Sequence, residues 1–234
     1  MNFKNKTIMI TGAAGNLGRA VANAFHQLGA NLVLLDRQTD SLQRAFGKED
    51  DRRAFFAVDL LNQAQLKDAV ESSIHRFGRI DVLCNVAGGF RMGPPVHETP
   101  DQDWNFLFDL NTRSLLHAVR AVVPGMLASR DGKIVNIAAN SAQKGVANMG
   151  AYCASKDVVI RVTEAMAAEL RDSNINVNCV MPSIIDTPEN RAAMPNADFS
   201  RWVAPEALAD VIVFLASDGA RAIHGAALPV VGRS

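Results

Sequence analysis

The sequence predicts an α/β fold: a doubly wound, seven-stranded, mainly parallel sheet with helices on both faces. Three observations carry that expectation. Short apolar runs rich in β-branched residues alternate with longer helical stretches over nearly all of the 234 residues, which is the mark of βαβ units. Several runs are apolar without alternation, as strands covered on both sides are. No internal repeat and no Ser/Gly linker divides the chain, so one domain spanning 1–234 is expected.

The expected strands are Thr7–Thr11, Asn31–Leu35, Ala54–Val58, Val82–Asn85, Lys133–Ile137, Asn176–Val180 and Ala227–Val230. Between them the spacing predicts helices over Leu17–Leu28, Ser41–Phe46, Gln63–Phe77, Trp104–Ala128, Ala151–Arg171 and Pro205–Leu215. The stretch Ser183–Val203 carries Pro188, Pro195 and many polar residues. It reads as a long loop or broken helix of the kind that covers or shapes a site.

Composition excludes several function classes. Acidic and basic side chains balance at 24 each, and no basic stripe is present to neutralise phosphates, so nucleic acid and membrane surfaces are not expected partners. The polar start, Met1 to Thr7, lacks the apolar segment of a secretory signal, and no apolar run reaches the roughly 18 residues that span a bilayer. A cytoplasmic protein is expected. Cys84, Cys153 and Cys179 are far apart and form no Cys-x-x-Cys pair, which suggests buried thiols. The five histidines show no ligand spacing, so no metal site is expected.

The first strand runs into Thr11-Gly12-Ala13-Ala14-Gly15-Asn16-Leu17-Gly18 and then at once into an amphipathic helix. Glycines at 12, 15 and 18 permit a tight turn and close approach of backbone to a pyrophosphate, which the helix N-terminus attracts with unpaired N–H groups. Asp36 ends the second strand 24 positions after Gly12. A carboxylate there can accept hydrogen bonds from the adenosine ribose and repel a 2′-phosphate, favouring NAD(H) over NADP(H), although Arg37 could pair with such a phosphate. Asp59, followed by Leu60 after the third strand, is placed either to meet the adenine edge or to cap the helix beginning near Gln63.

On the helix starting near Ala151, Tyr152 and Lys156 are four positions apart and share one face. A free phenol titrates near pH 10, and a neighbouring ammonium lowers that value by favouring phenolate. Phe90, Met92, His97 and Trp104 follow the fourth strand and either line a substrate entrance or pack their own loop.

With these segments in order, the chain resembles a classical short-chain dehydrogenase/reductase from end to end. Asn85-Val86-Ala87-Gly88 resembles the family's Asn-Asn-Ala-Gly motif, which supports the sheet and lines the cofactor. Asn111 matches the asparagine that orders a relay water toward the active-site lysine. Pro182-Ser183-Ile184-Ile185-Asp186-Thr187 resembles the segment whose backbone, at Ile185, meets the nicotinamide amide. The last loop and strand, Ile223 to Val230, also match. The resemblance implies a Rossmann fold and an oxidoreductase in which Tyr152 is acid/base, Lys156 holds the nicotinamide ribose, and the subunits pair as a homodimer or homotetramer. The substrate is a small molecule left unassigned, chosen by Gly89–Thr99 and Ser183–Val203.

Two departures from the family pattern stand out. Asn16 occupies the place of a glycine, which Asn tolerates better than other residues. Ala139 stands where classical members carry a serine, 13 positions before the tyrosine. Loss of one such donor costs about 10²–10³ in rate if nothing replaces it. Ser141 could do so if the chain curls tightly after Asn140. Asn140, a backbone donor or no replacement are the other readings. Dihydropteridine reductases share the alanine, which makes a preactivated ring an alternative substrate. A dinucleotide-binding sensor without turnover is the rival from another class.

Overall fold

In the computed structural model, which describes residues 1–234, one seven-stranded sheet runs through the molecule in the order β3-β2-β1-β4-β5-β6-β7. The strands are β1 (Thr7–Thr11), β2 (Asn31–Asp36), β3 (Arg53–Ala57), β4 (Val82–Asn85), β5 (Gly132–Ile137), β6 (Ile175–Pro182) and β7 (Ala227–Val230). Every neighbouring pair is parallel, so the expected "mainly parallel" sheet is wholly parallel. The helices are α1 (Asn16–Gln27), α2 (Thr39–Phe46), α3 (Gln63–Phe77), α4 (Asp101–Phe108), α5 (Ser114–Ser129), α6 (Gly150–Leu170), α7 (Pro188–Ala193) and α8 (Pro205–Leu215).

Alternate residues of the buried strands supply two separate cores, because successive side chains point to opposite faces of a sheet. Ile8, Ile10, Leu32 and Leu34 pack with Val21 and Phe25 of α1 and Leu208 and Ile212 of α8 on one face. Met9, Val33 and Leu35 pack on the other with Leu66 of α3, Leu115 and Val122 of α5, and Val159 of α6. Strand order reverses between β1 and β4, and their carboxyl ends open the crevice where parallel α/β sheets take ligands.

The continuous helix expected over Trp104–Ala128 is interrupted. Asp109–Arg113 form a turn of π-helix between α4 and α5, with Asn111 buried in it. Such a turn widens the hydrogen-bond ladder and often marks a functional site. No apolar period reveals it, since the buried face continues across it. The Ser183–Val203 stretch is a broken helix, comprising α7 and a 3₁₀ turn at Phe199–Arg201. No helix is long and apolar enough to cross a membrane. The three cysteines are buried and free.

Candidate active site

β1 ends at Thr11, and the chain turns through Gly12 into α1. Gly12 has φ +64, and a β-carbon there would stand 2.8 Å from Ala87 Cα, while one at Gly18 would stand 2.2 Å from the Gly12 carbonyl oxygen. Only glycine allows the loop after β4 and the first turn of α1 to come this close. The Ala87 N–H donates to Thr11 Oγ1 at 3.1 Å, tying the two loops together. Gly15 caps α1 without a side-chain bond, so the first N–H groups of the helix, Leu17 and Gly18 included, form a bare cationic end. This glycine-lined cradle fits the pyrophosphate of a dinucleotide.

Asp36 is braced rather than free. Its Oδ2 accepts from Ala14 N at 3.0 Å and its Oδ1 from Arg37 N at 2.8 Å, which fixes the carboxylate at the end of β2 beside the glycine turn. Lone pairs remain for ribose hydroxyls. Asp59 does not cap α3, which corrects that reading of the sequence: its Oδ1 accepts from Leu61 N, and the helix cap is Asn62, which accepts from Ala64 N and Gln65 N. The three-residue offset arises because Asp59 closes a turn of its own first. Leu60 contributes its carbonyl to His117 Nδ1 at 3.0 Å.

Other matched residues are held by the scaffold. The Asn85 amide donates to Asn136 Oδ1 at 2.9 Å, and Asn136 in turn donates to Thr163 Oγ1, a buried brace from β4 through β5 to α6. Pro182 ends β6, buried. The Ile185 carbonyl accepts from Asn190 Nδ2 at 2.8 Å. Thr187 is the N-cap of α7, accepting from Asn190 N.

The chemical end converges on Gly88. Lys156 is buried, and its Nζ donates to the Ile137 carbonyl at the end of β5 at 2.8 Å. A β-carbon on Gly88 would stand 2.9 Å from that Nζ and 3.0 Å from Asn111 Oδ1. Asn111 accepts from Gly89 N at 2.9 Å and donates to the Gly89 carbonyl and to Ser155 Oγ, each at 3.1 Å. Ser155 donates to the Tyr152 carbonyl at 2.8 Å. The π-turn is therefore locked to the helix turn that carries Tyr152 and Lys156. Sequence reasoning missed Ser155, whose only signal is its position between those two residues.

The phenol is shifted up rather than down, and the cause is burial, not the lysine. Burial pushes the Tyr152 hydroxyl up to about 12, with the neighbouring Cys153 thiol adding to it. Burial likewise brings the Lys156 ammonium down to about 8. Desolvation disfavours both charged forms, and the helical spacing says nothing of it.

After Ala139, which is buried, residues Asn140–Gln143 form a 3₁₀ turn. The tight curl needed to bring Ser141 back is thus present, and the Ser141 residue is half-buried on it. On the open side, the rings of Phe90 and Tyr152 meet edge to face with centroids 4.9 Å apart. Trp104 instead stacks on Phe108 at 4.6 Å, and His97 lies beside Glu98 at 3.4 Å.

A bare phosphate cradle at the switch point, with a phenol and an ammonium across the crevice, defines the class of an NAD(P)-dependent oxidoreductase. Residues 6–198 match the short chain dehydrogenase family, and the chain belongs to it. The chain is 32% identical over 247 residues to the 3-oxoacyl-[acyl-carrier-protein] reductase FabG of Thermotoga maritima, covering 99% of this chain and 98% of that one. Among solved structures, carveol dehydrogenase from Mycobacterium avium in complex with NAD has a TM-score of 0.90 at 28% identity, covering 98% and 97% of the two chains. ElxO with NADP bound has a TM-score of 0.90 at 25% identity, covering 97% of each.

Proposed function

We propose that the protein reduces carbonyl compounds, or oxidises the matching alcohols, with NAD(H) in preference to NADP(H), and that Tyr152 exchanges the proton. The observation that carries this reading is the meeting of Lys156 and Asn111 at Gly88, with Lys156 anchored on Ile137 and Asn111 tied through Ser155 to the helix turn that carries Tyr152. The dinucleotide supplies or accepts the hydride. This chain's residues bind it, through the cradle of Gly12, Gly15, Asn16, Leu17 and Gly18 and through Asp36, and they hold the reacting oxygen and its proton. A phenol that stays neutral well above neutral pH is in the form that donates a proton to a carbonyl oxygen. The Lys156 ammonium, anchored on Ile137, keeps two further N–H donors for a ribose or an ordered water.

Preference for NAD(H) is supported by the Asp36 carboxylate braced at the end of β2, where a negative charge would repel a 2′-phosphate. Pairing of subunits into a homodimer or homotetramer is supported by Leu116 and Leu127, large apolar side chains left exposed on α5.

Replacing Tyr152 by Phe tests the reading. Turnover should fall by about 10²–10⁴ while NADH binding is retained, as expected of a lost acid/base. Unchanged turnover would remove Tyr152 from the mechanism. A second reading, reduction of a preactivated ring, is favoured by Ala139, whose methyl group offers no hydrogen bond to a substrate oxygen.

A further inference from the structure

Resting on that reading of Tyr152, we propose that Phe90 is a specificity-determining residue that reserves the site for neutral substrates whose reacting carbonyl or carbinol belongs to a ring. Phe90 lies edge to face with the reacting phenol yet is 54% exposed. An aromatic surface is therefore presented to solvent against the ring of the phenol that exchanges the proton. A flat or alicyclic ring gains contact area against it. An open-chain polyol would have to give up water at every hydroxyl that touched it.

The same segment continues the apolar surface. Met92 and Val96 are exposed, and Val96 Cγ2 comes so close to Gly150 that a β-carbon there would stand 2.7 Å from it. The segment is thus folded down onto the first turn of the helix that carries Tyr152. The recess on the other flank of Tyr152, between Gly93 and Met149, has a volume of about 10 Å³, room for a water and not for a substrate.

Charge on the substrate is disfavoured because the cations of both covering segments are already engaged. Arg91 is paired with Asp103 and lies over the Phe106 ring. Arg191 is paired with Asp186 and lies over Phe199, and Arg201 donates to the Arg233 carbonyl. A carboxylate or phosphate finds no uncommitted arginine in either segment.

The test compares kcat/KM with NADH for cyclohexanone and its alkyl derivatives against open-chain ketones of equal carbon number. Oxidation of cyclohexanol and of xylitol with NAD is measured alongside. Ring substrates should lead by about tenfold or more, the discrimination an apolar pocket can deliver. Phe90→Ala should bring the ratio close to unity while leaving the NADH dissociation constant unchanged, and Phe90→Trp should preserve the preference. Tyr152 is the only tyrosine in the chain, so its phenolate absorbance gives a second readout. Phe90→Ala rehydrates the phenol and should lower its titration midpoint. Equal rates on rings and chains, a preference for xylitol, or a ratio untouched by Phe90→Ala would overturn the substrate class and leave the enzymatic reading standing. A chain that binds NADH and turns over nothing in the panel would overturn both.

Discussion

The side-chain amide of Asn16 donates to the Glu189 carboxylate at 2.7 Å, across 173 positions of sequence. Arg19 holds the other end of the same amide, donating to its Oδ1 at 2.6 Å. The first turn of α1 is thereby clasped to α7 and to the segment that covers the crevice. Asn16 stands where the family pattern has glycine, and glycine has no side chain with which to make this contact.

The clasp sets an anion at the lip of an anion-binding turn. A hydrogen bond from its own backbone N–H holds the Glu189 carboxyl below the usual range, and the Asn16 amide acts in the same direction. Glu189 is thus negative at neutral pH and opposes a pyrophosphate by like-charge repulsion, screened by salt. Glu189→Gln keeps an acceptor for Asn16 and removes the charge. NADH should bind about two- to fivefold more tightly to this variant at low ionic strength, with the difference shrinking at high salt. Fluorescence titration of NADH checks it, and weaker binding would show that the carboxylate helps the cofactor instead.

In the function proposed above, Asp36 carries the choice of dinucleotide. Replacing it by Asn preserves an acceptor for Ala14 N–H but removes the charge that repels a 2′-phosphate, and leaves Arg37 free to attract one. The ratio of kcat/KM for NAD over NADP should drop by about tenfold or more, from an NAD-favouring value toward unity, most of it through KM. A wild-type protein that already prefers NADP(H) would refute the role given to Asp36.

The fold was legible because its signals are local and periodic. Apolar β-branched runs placed all seven strands, and glycine spacing placed the turn after β1. The site was legible only where spacing carries chemistry, as for Tyr152 and Lys156. Contacts between distant segments left no such trace. Glu189 reaches Asn16 only once α7 is folded back over α1, and Ser155 matters only because a π-turn brings Asn111 to it. Burial likewise raised the phenol where spacing alone led to an expected lowering, since desolvation is a property of the packed fold and not of helical spacing.

Gly88 is the tightest point of the chemical end. A methyl group there would meet Lys156 Nζ and Asn111 Oδ1, both near 3 Å. Nζ is the far end of a flexible side chain and can yield, but it is anchored on Ile137. Gly88→Ala should therefore fold with a modest loss of stability, about 1–3 kcal/mol as for an overpacked site. Its kcat should fall by about tenfold or more through displacement of the ammonium. A variant with wild-type kcat would show that the Lys156 position tolerates movement.

In the function proposed above, Lys156 sets activity against stability. The folded state binds its proton less tightly than the unfolded chain, whose value is 10.5 against about 8 in the fold. Below about 8 both states are protonated, and the fold bears the full cost of a buried ammonium. Between about 8 and 10.5 the unfolded chain binds the extra proton, so this group's contribution to stability rises with pH across that window. Lys156→Met removes the cost and leaves the Ile137 carbonyl short of one donor. The variant should be inactive yet more stable near neutral pH by about 1–3 kcal/mol, with the gain shrinking as pH climbs toward 10. Cys84 and Tyr152 titrate in both proteins and cancel in the difference, whereas Cys179, which feels the Lys156 charge, shifts upward in the variant. Urea denaturation of the two proteins across that range measures it, and a variant less stable than wild type near neutral pH would show that the ammonium is held by more than its bond to Ile137.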